Sequence, residues 1–387
     1  MRRALAVMIV GIASPARADL PPITDRAYAI DLYDGAALGS ARIVGMGGAA
    51  TATAEGSAGS VVNPAAVAVR PATSTDRFDW DFHLDAQQAI GSSDLDNNGL
   101  APGAGSKLAT FGIAGLWREW GLGAVATTQT TAIPGDGTAA LQAEATRGRL
   151  TLARTFGARE TITAGVAIDV GTFALARADG AAPDLFSLTG SGLALGAVWR
   201  APAGDWRLGG AASLPIAGTQ VDTIGCDPLA CVGRILPEEV RAPWRLALGG
   251  ARRWGPTPWN TWRAARFRDE RAVMVAADLV LSGPTPRGRG LEAFGLGLAQ
   301  RSGANVVGSV RVGAEWEAVP GHVRVRAGAY WEPGRFAGVG GRPHATAGLE
   351  LGAIDFDLWG RRRLRASLTG DVAPRYLSAS ASVGFWH

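Results

Sequence analysis

The sequence predicts an all-β fold: a transmembrane antiparallel β-barrel of about 14 strands, with an N-terminal hatch plugging its lumen. Three observations carry this expectation: apolar and polar residues alternate with period two, short turns alternate with longer polar segments, and tryptophans gather beside the short turns. Composition agrees. Of 387 residues, 19% are charged and 13 are Trp, which does not suit a disordered chain, while 54 Gly are too many for a helical bundle and 2 Cys too few for a disulfide scaffold.

The chain opens as an export signal over residues 1–18. Arg2 and Arg3 form the charged start, Ala4 to Ala13 the apolar run, and Ala16-Arg17-Ala18 the cleavage site before Asp19. A spanning helix needs roughly 20 apolar residues, and no such run follows, which leaves a soluble exported protein or a β-barrel in the outer membrane of a Gram-negative bacterium; the strand periodicity below makes the barrel the expected form. Without the signal the chain carries 35 basic and 34 acidic residues, a balance that argues against nucleic acid.

Residues 19–75 form the expected hatch segment. It is rich in Gly, Ala and Ser, with Gly45, Gly47 and Gly48 early and Asn63-Pro64-Ala65 later. Asn63 suits a helix cap and Pro64 the first helical position. A phosphate cradle is the competing reading of the glycines, but no strand feeds them and no Lys follows.

Residues 76–387 make the barrel. Expected strands cover 76–90, 107–118, 120–133, 141–156, 160–176, 188–200, 205–219, 239–254, 271–283, 304–318, 322–333, 343–358, 363–373 and 375–386. Phe78, Trp80, Phe82 and Leu84 alternate with Asp79, Asp81, His83 and Asp85, and Val310, Val312, Ala314 and Trp316 oppose Arg311, Glu315 and Glu317. Trp117, Trp120, Trp199, Trp206, Trp254, Trp259, Trp262, Trp316, Trp359 and Trp386 fall near the short turns with Trp80; Trp244 and Trp331 fall at the other end. An indole prefers the water–lipid boundary, whereas a soluble sandwich offers no reason for this one-sided placement.

Charged residues on the lumen face satisfy one another and the hatch, or contact an anionic head group; Arg324 and Arg326 are the candidates for the second role. Cys226 and Cys231, in a long outer loop, are expected to pair in an oxidising compartment. No metal-ligand spacing is present and no cofactor is expected. His83 beside Asp81 and Asp85 is the one arrangement suited to acid–base chemistry, against the simpler reading of a solvated polar face. His322, His344 and His387 show no catalytic motif, so the protein is not expected to be an enzyme.

The Gly45 to Ala49 and Asn63-Pro64-Ala65 pieces resemble the hatch of the FadL/TodX type of outer-membrane transporters. The likeness continues through Arg241-Ala-Pro-Trp-Arg, Ala277-Asp-Leu-Val, Gly313-Ala-Glu-Trp, Arg326-Ala-Gly-Ala-Tyr-Trp-Glu-Pro-Gly, His344-Ala-Thr-Ala-Gly-Leu-Glu and Ser382-Val-Gly-Phe-Trp. The resemblance implies passive uptake of hydrophobic compounds, long-chain fatty acids or aromatic hydrocarbons, among outer-membrane lipid and lipopolysaccharide. It also implies release through the wall at a kinked third strand, where Gly121 and Gly123 could permit the bend. The alternative is a barrel that transports nothing and docks exported proteins or lipoproteins.

Overall fold

The computed structural model describes residues 20–70, 78–91, 93–100, 105–133, 140–157, 161–180, 184–218, 222–223, 225–261 and 267–385. The expected signal at 1–18, the expected boundary at 75/76, Trp262 and Trp386 lie outside them. Fourteen wall strands follow in chain order: β1 Phe78–Ala89, β2 Ser106–Trp117, β3 Trp120–Ile133, β4 Leu141–Phe156, β5 Ile162–Arg177, β6 Phe186–Arg200, β7 Trp206–Ser213 with Ile216–Gly218, and β8 Glu239–Ala242 with Arg245–Trp254. The remainder are β9 Val273–Ser282, β10 Val307–Val319, β11 Val323–Glu332, β12 Arg342–Asp357, β13 Arg361–Ala373 and β14 Tyr376–Phe385. Each pairs antiparallel with its sequence neighbour, and β14 returns to β1 from Ser378↔Ala89 to Phe385↔Phe82, closing the cylinder without an edge.

The alternation resolves into an inverted barrel. Leu122, Leu150, Leu195, Val310 and Leu368 stand 58–66% exposed on the outer face, while Asp81, His83, Asp278, Arg326, Glu350 and Asp371 are buried inside. Apolar side chains left facing outward around the wall are what acyl chains require, and they exclude the sandwich, whose apolar faces meet each other. Trp117, Trp120, Trp199, Trp206, Trp254, Trp316 and Trp359 are exposed in the girdle expected of them. Trp259 is not: its loop folds back under the barrel, and the ring is buried beneath Arg207, 3.9 Å from ring centre to guanidinium.

Two predicted continuous strands are interrupted. The β7–β8 ladder runs to Ser213↔Arg245, stops at Leu214-Pro215 and Pro243-Trp244, and resumes at Ile216↔Ala242. Each Pro removes a ladder donor, so both strands yield at the same height.

Residues 20–70 thread the lumen. Ala29–Asp31 is a short strand parallel to Glu239–Ala242 near the outer end. Helices Ala41–Gly45 and Gly56–Ser60 and a 3₁₀ turn Pro64–Ala68 follow. Asn63 caps that turn as expected, its side-chain oxygen accepting from the Ala65 N–H at 3.1 Å.

Candidate functional site: a divided lumen

Residues 35–70 pack across the barrel and leave one cavity on the outer side and another on the turn side. The wall admits this backbone because its inward positions at that height are glycine. A Cβ on Gly165 would lie 2.6 Å from the Pro64 carbonyl oxygen, and one on Gly196 would lie 2.0 Å from Asn63 Oδ1. Gly209, Gly313 and Gly328 face Thr51, Met46 and Gly47 in the same manner. Gly47 and Gly48 themselves have φ of +61° and +74°, turning the chain after the first helix against β10 and β11, while Gly45 lies beside Thr369 and Arg326.

Gly121 and Gly123 belong to the same set. The β3 ladder is unbroken on both sides, from Trp117↔Trp120 to Ser106↔Thr131 and from Trp120↔Arg154 to Ile133↔Leu141. Their missing side chains accommodate Val67.

Charged wall residues anchor the threaded segment. Asp278 Oδ2 accepts from the Ala50 N–H, the Thr51 N–H and the Thr51 hydroxyl at 2.7–2.9 Å. Arg149, paired with Asp169 at 2.7 Å, donates to the Ser60 and Val61 carbonyls. Arg42 pairs with Glu315 and Glu55 with Arg207. Arg326 is fully buried and clasped between Glu315 and Glu350 at 2.6 and 2.5 Å, which places it in the lumen's structural network. Arg324 lines the turn-side cavity, with longer contacts of 3.6 and 3.4 Å to Glu317 and Glu350.

His83 is another anchor, and the solvated face expected for it is absent: the ring is fully buried. Ser57 Oγ lies 2.8 Å from Nδ1 and Asp85 Oδ2 3.4 Å from Nε2, while the Ser57 hydroxyl also meets Asp81. The order Ser–His–Asp suggests a nucleophile, but all of these groups are buried and the serine proton has Asp81 as its acceptor. The set joins the threaded helix to β1.

The outer-side cavity, about 250 Å³, is the candidate ligand site. Its floor comes from Leu38, Ile43, Val61 and Val62 of the threaded segment, and its walls from Leu108, Val125, Ala143, Phe173 and Ile216. Polar side chains, Thr127, Gln129 and Arg147 among them, are at least as numerous in the walls as apolar ones. A concave chamber with an apolar floor, apolar wall patches and many polar contacts suits a hydrophobic solute that also carries polar groups, and its apolar patches can hold a wholly apolar one. Leu95 and Asp96 from the first outer loop and Leu291 and Glu292 from the loop after β9 form its roof.

That roof contains a juxtaposition invisible to motif spacing. Oxygens of Asp94, Asp96 and Glu292 lie within 4.8 Å of one another. Burial, and then the neighbouring carboxylates, push Asp96 and Glu292 well above the usual carboxylate range. Cys226 and Cys231 form the expected disulfide in the loop between β7 and β8.

No protein-family model and no curated protein sequence matches the chain. Solved structures do. The Ralstonia pickettii toluene transporter TbuX aligns with a TM-score of 0.54 at 14% identity over 89% of this chain and 97% of its own. A mutant of the TodX monoaromatic hydrocarbon channel gives 0.53 at 15% over 92% and 99%, and a Pseudomonas aeruginosa FadL homologue 0.53 at 12% over 95% and 97%. With the closed fourteen-strand wall and the lumen threaded by the N-terminal segment, these likenesses show that the chain has the fold of the FadL/TodX-type outer-membrane channels.

Proposed function

We propose that this protein is an outer-membrane channel for passive uptake of hydrophobic compounds, with residues 35–70 as its hatch. The observation that carries the reading is the chamber of about 250 Å³, with apolar patches in its floor and walls, resting directly on the threaded segment. A sugar-covered outer leaflet impedes hydrophobic solutes, and such a chamber offers them a route past it. The similar structures, a toluene transporter and a monoaromatic hydrocarbon channel, support the same solute class. Concentration difference alone drives the movement, and displacement of the hatch connects the chamber to the turn side.

Uptake of a labelled alkylbenzene and a labelled long-chain fatty acid by cells with and without the protein tests this. Faster uptake of at least one is expected. Equal uptake of both would favour the docking role instead.

A further inference from the structure

Below the threaded segment lies a second cavity, about 350 Å³, whose chemistry differs from that of the chamber above. Among the described residues its lining holds eight arginines and four carboxylates, and Glu270 and Glu350 pair with Arg253, Arg324 and Arg365 from just outside it. Some arginines are neutralised by contact, as Arg42 is by Glu315 at 3.3 Å and Arg253 by Glu270 at 2.7 Å. Arg268 is not neutralised in this way. It donates to the carbonyls of Trp259 and Thr261, its nearest ion-pair contact is 3.8 Å from Glu270, and its Nε has no hydrogen-bond partner. Burial, and next the Arg253 guanidinium, press Arg268 down to about 10, the direction expected where cations crowd a partly dry space.

Apolar surface lies beside these cations. Trp259, Phe267, Ala272 and Met274 line the same space. Cations held at low dielectric favour an anion, and guanidinium is suited to a carboxylate because its planar fork can donate two parallel bonds. The flat rings and the methionine match a ligand that also carries an apolar body.

We propose that this turn-side vestibule binds small amphipathic carboxylates, the acid group between Arg268 and Arg324 and the apolar body on Trp259, Phe267 and Met274. The site itself stands on the geometry of the vestibule, and only its place as a station beyond the hatch rests on the channel reading. It adds an acid-binding station to a route for hydrophobic compounds.

Isothermal titration of the purified full-length barrel in neutral detergent tests the site, with 3-phenylpropionate, its primary amide and acetate as probes. The carboxylate should bind at least tenfold tighter than either the amide or acetate. Ala272→Glu, which adds a negative charge to the lining, and Arg324→Gln, which removes a positive one, should each weaken the carboxylate at least tenfold and leave the amide unchanged. Val125→Trp, which narrows the outer chamber, should leave carboxylate binding intact. Equal binding of carboxylate and amide overturns the proposal, as does carboxylate binding that survives both lining variants or is lost in Val125→Trp. Alkylbenzene uptake measured on Ala272→Glu reads the channel separately: retained uptake with lost carboxylate binding supports both, while retained uptake with carboxylate binding unchanged in both lining variants refutes only the vestibule.

Discussion

Replacing Asp278 with alanine removes one carboxylate oxygen that holds three donors of the threaded segment, the Ala50 and Thr51 amides and the Thr51 hydroxyl. Hydrogen bonds to a charged group contribute about 1.5–3 kcal/mol each, but they are not additive and water replaces part of what is lost. A net loss of about 2–4 kcal/mol in the hold on this stretch follows. At 1.4 kcal/mol per factor of ten, that raises the population of the detached segment about 30- to 700-fold. Hydrogen exchange at Ala50 and Thr51 should accelerate by that factor, and planar-bilayer recordings should show openings more often than in wild type. Asp278→Asn, which keeps an oxygen in place but loses the charge, should fall between. Unchanged exchange and unchanged conductance in Asp278→Ala would refute the claim that wall carboxylates latch the segment.

Other consequences are independent of that latch. Gly196→Ala puts a methyl group 2.0 Å from Asn63 Oδ1 and should destabilise the threaded segment by about 1–3 kcal/mol, read as earlier proteolysis of residues 20–70 in urea. Asp96 and Glu292 hold protons above the usual carboxylate range, so the folded roof binds more protons than the unfolded chain across that window. Roof stability is therefore greatest below the ordinary carboxylate pKa and falls as pH rises toward the raised values; exchange at residues 93–100 should accelerate with pH beyond its intrinsic rate, and Asp96→Asn should flatten the profile. Replacing both Cys226 and Cys231 with serine should cost about 2 kcal/mol in the loop between β7 and β8, because so short a closure constrains few conformations, and should leave the barrel's thermal midpoint unmoved.

Much of the wall was legible because period-two alternation reports facing directly. Strands 120–133 and 141–156 fall where the sequence places them, at Trp120–Ile133 and Leu141–Phe156. Alternation does not report depth, and that is why the inward glycines gave no clear signal: Gly121 reads as a possible bend, and nothing in the pattern sets Val67 against it. Pro215 and Pro243 did carry a warning, since neither can donate to a ladder, yet the flanking apolar residues hid the interruption. The lumen charges were expected to satisfy one another and the hatch, as Asp278 and Arg326 do, but their dryness was not foreseen. His83 shows the reason. A polar strand face reads as solvated when the segment that covers it, here Ser57, comes from elsewhere in the chain.

Val125 stands in the wall of the outer chamber without belonging to the anchors of the threaded segment, so Val125→Trp narrows the chamber and leaves the latch alone. Alkylbenzene uptake by cells carrying this variant, with barrel folding verified by heat-modifiable gel migration, tests the central claim most directly. The account predicts uptake slower than in cells carrying the wild-type protein; uptake at the wild-type rate through the narrowed chamber would contradict it.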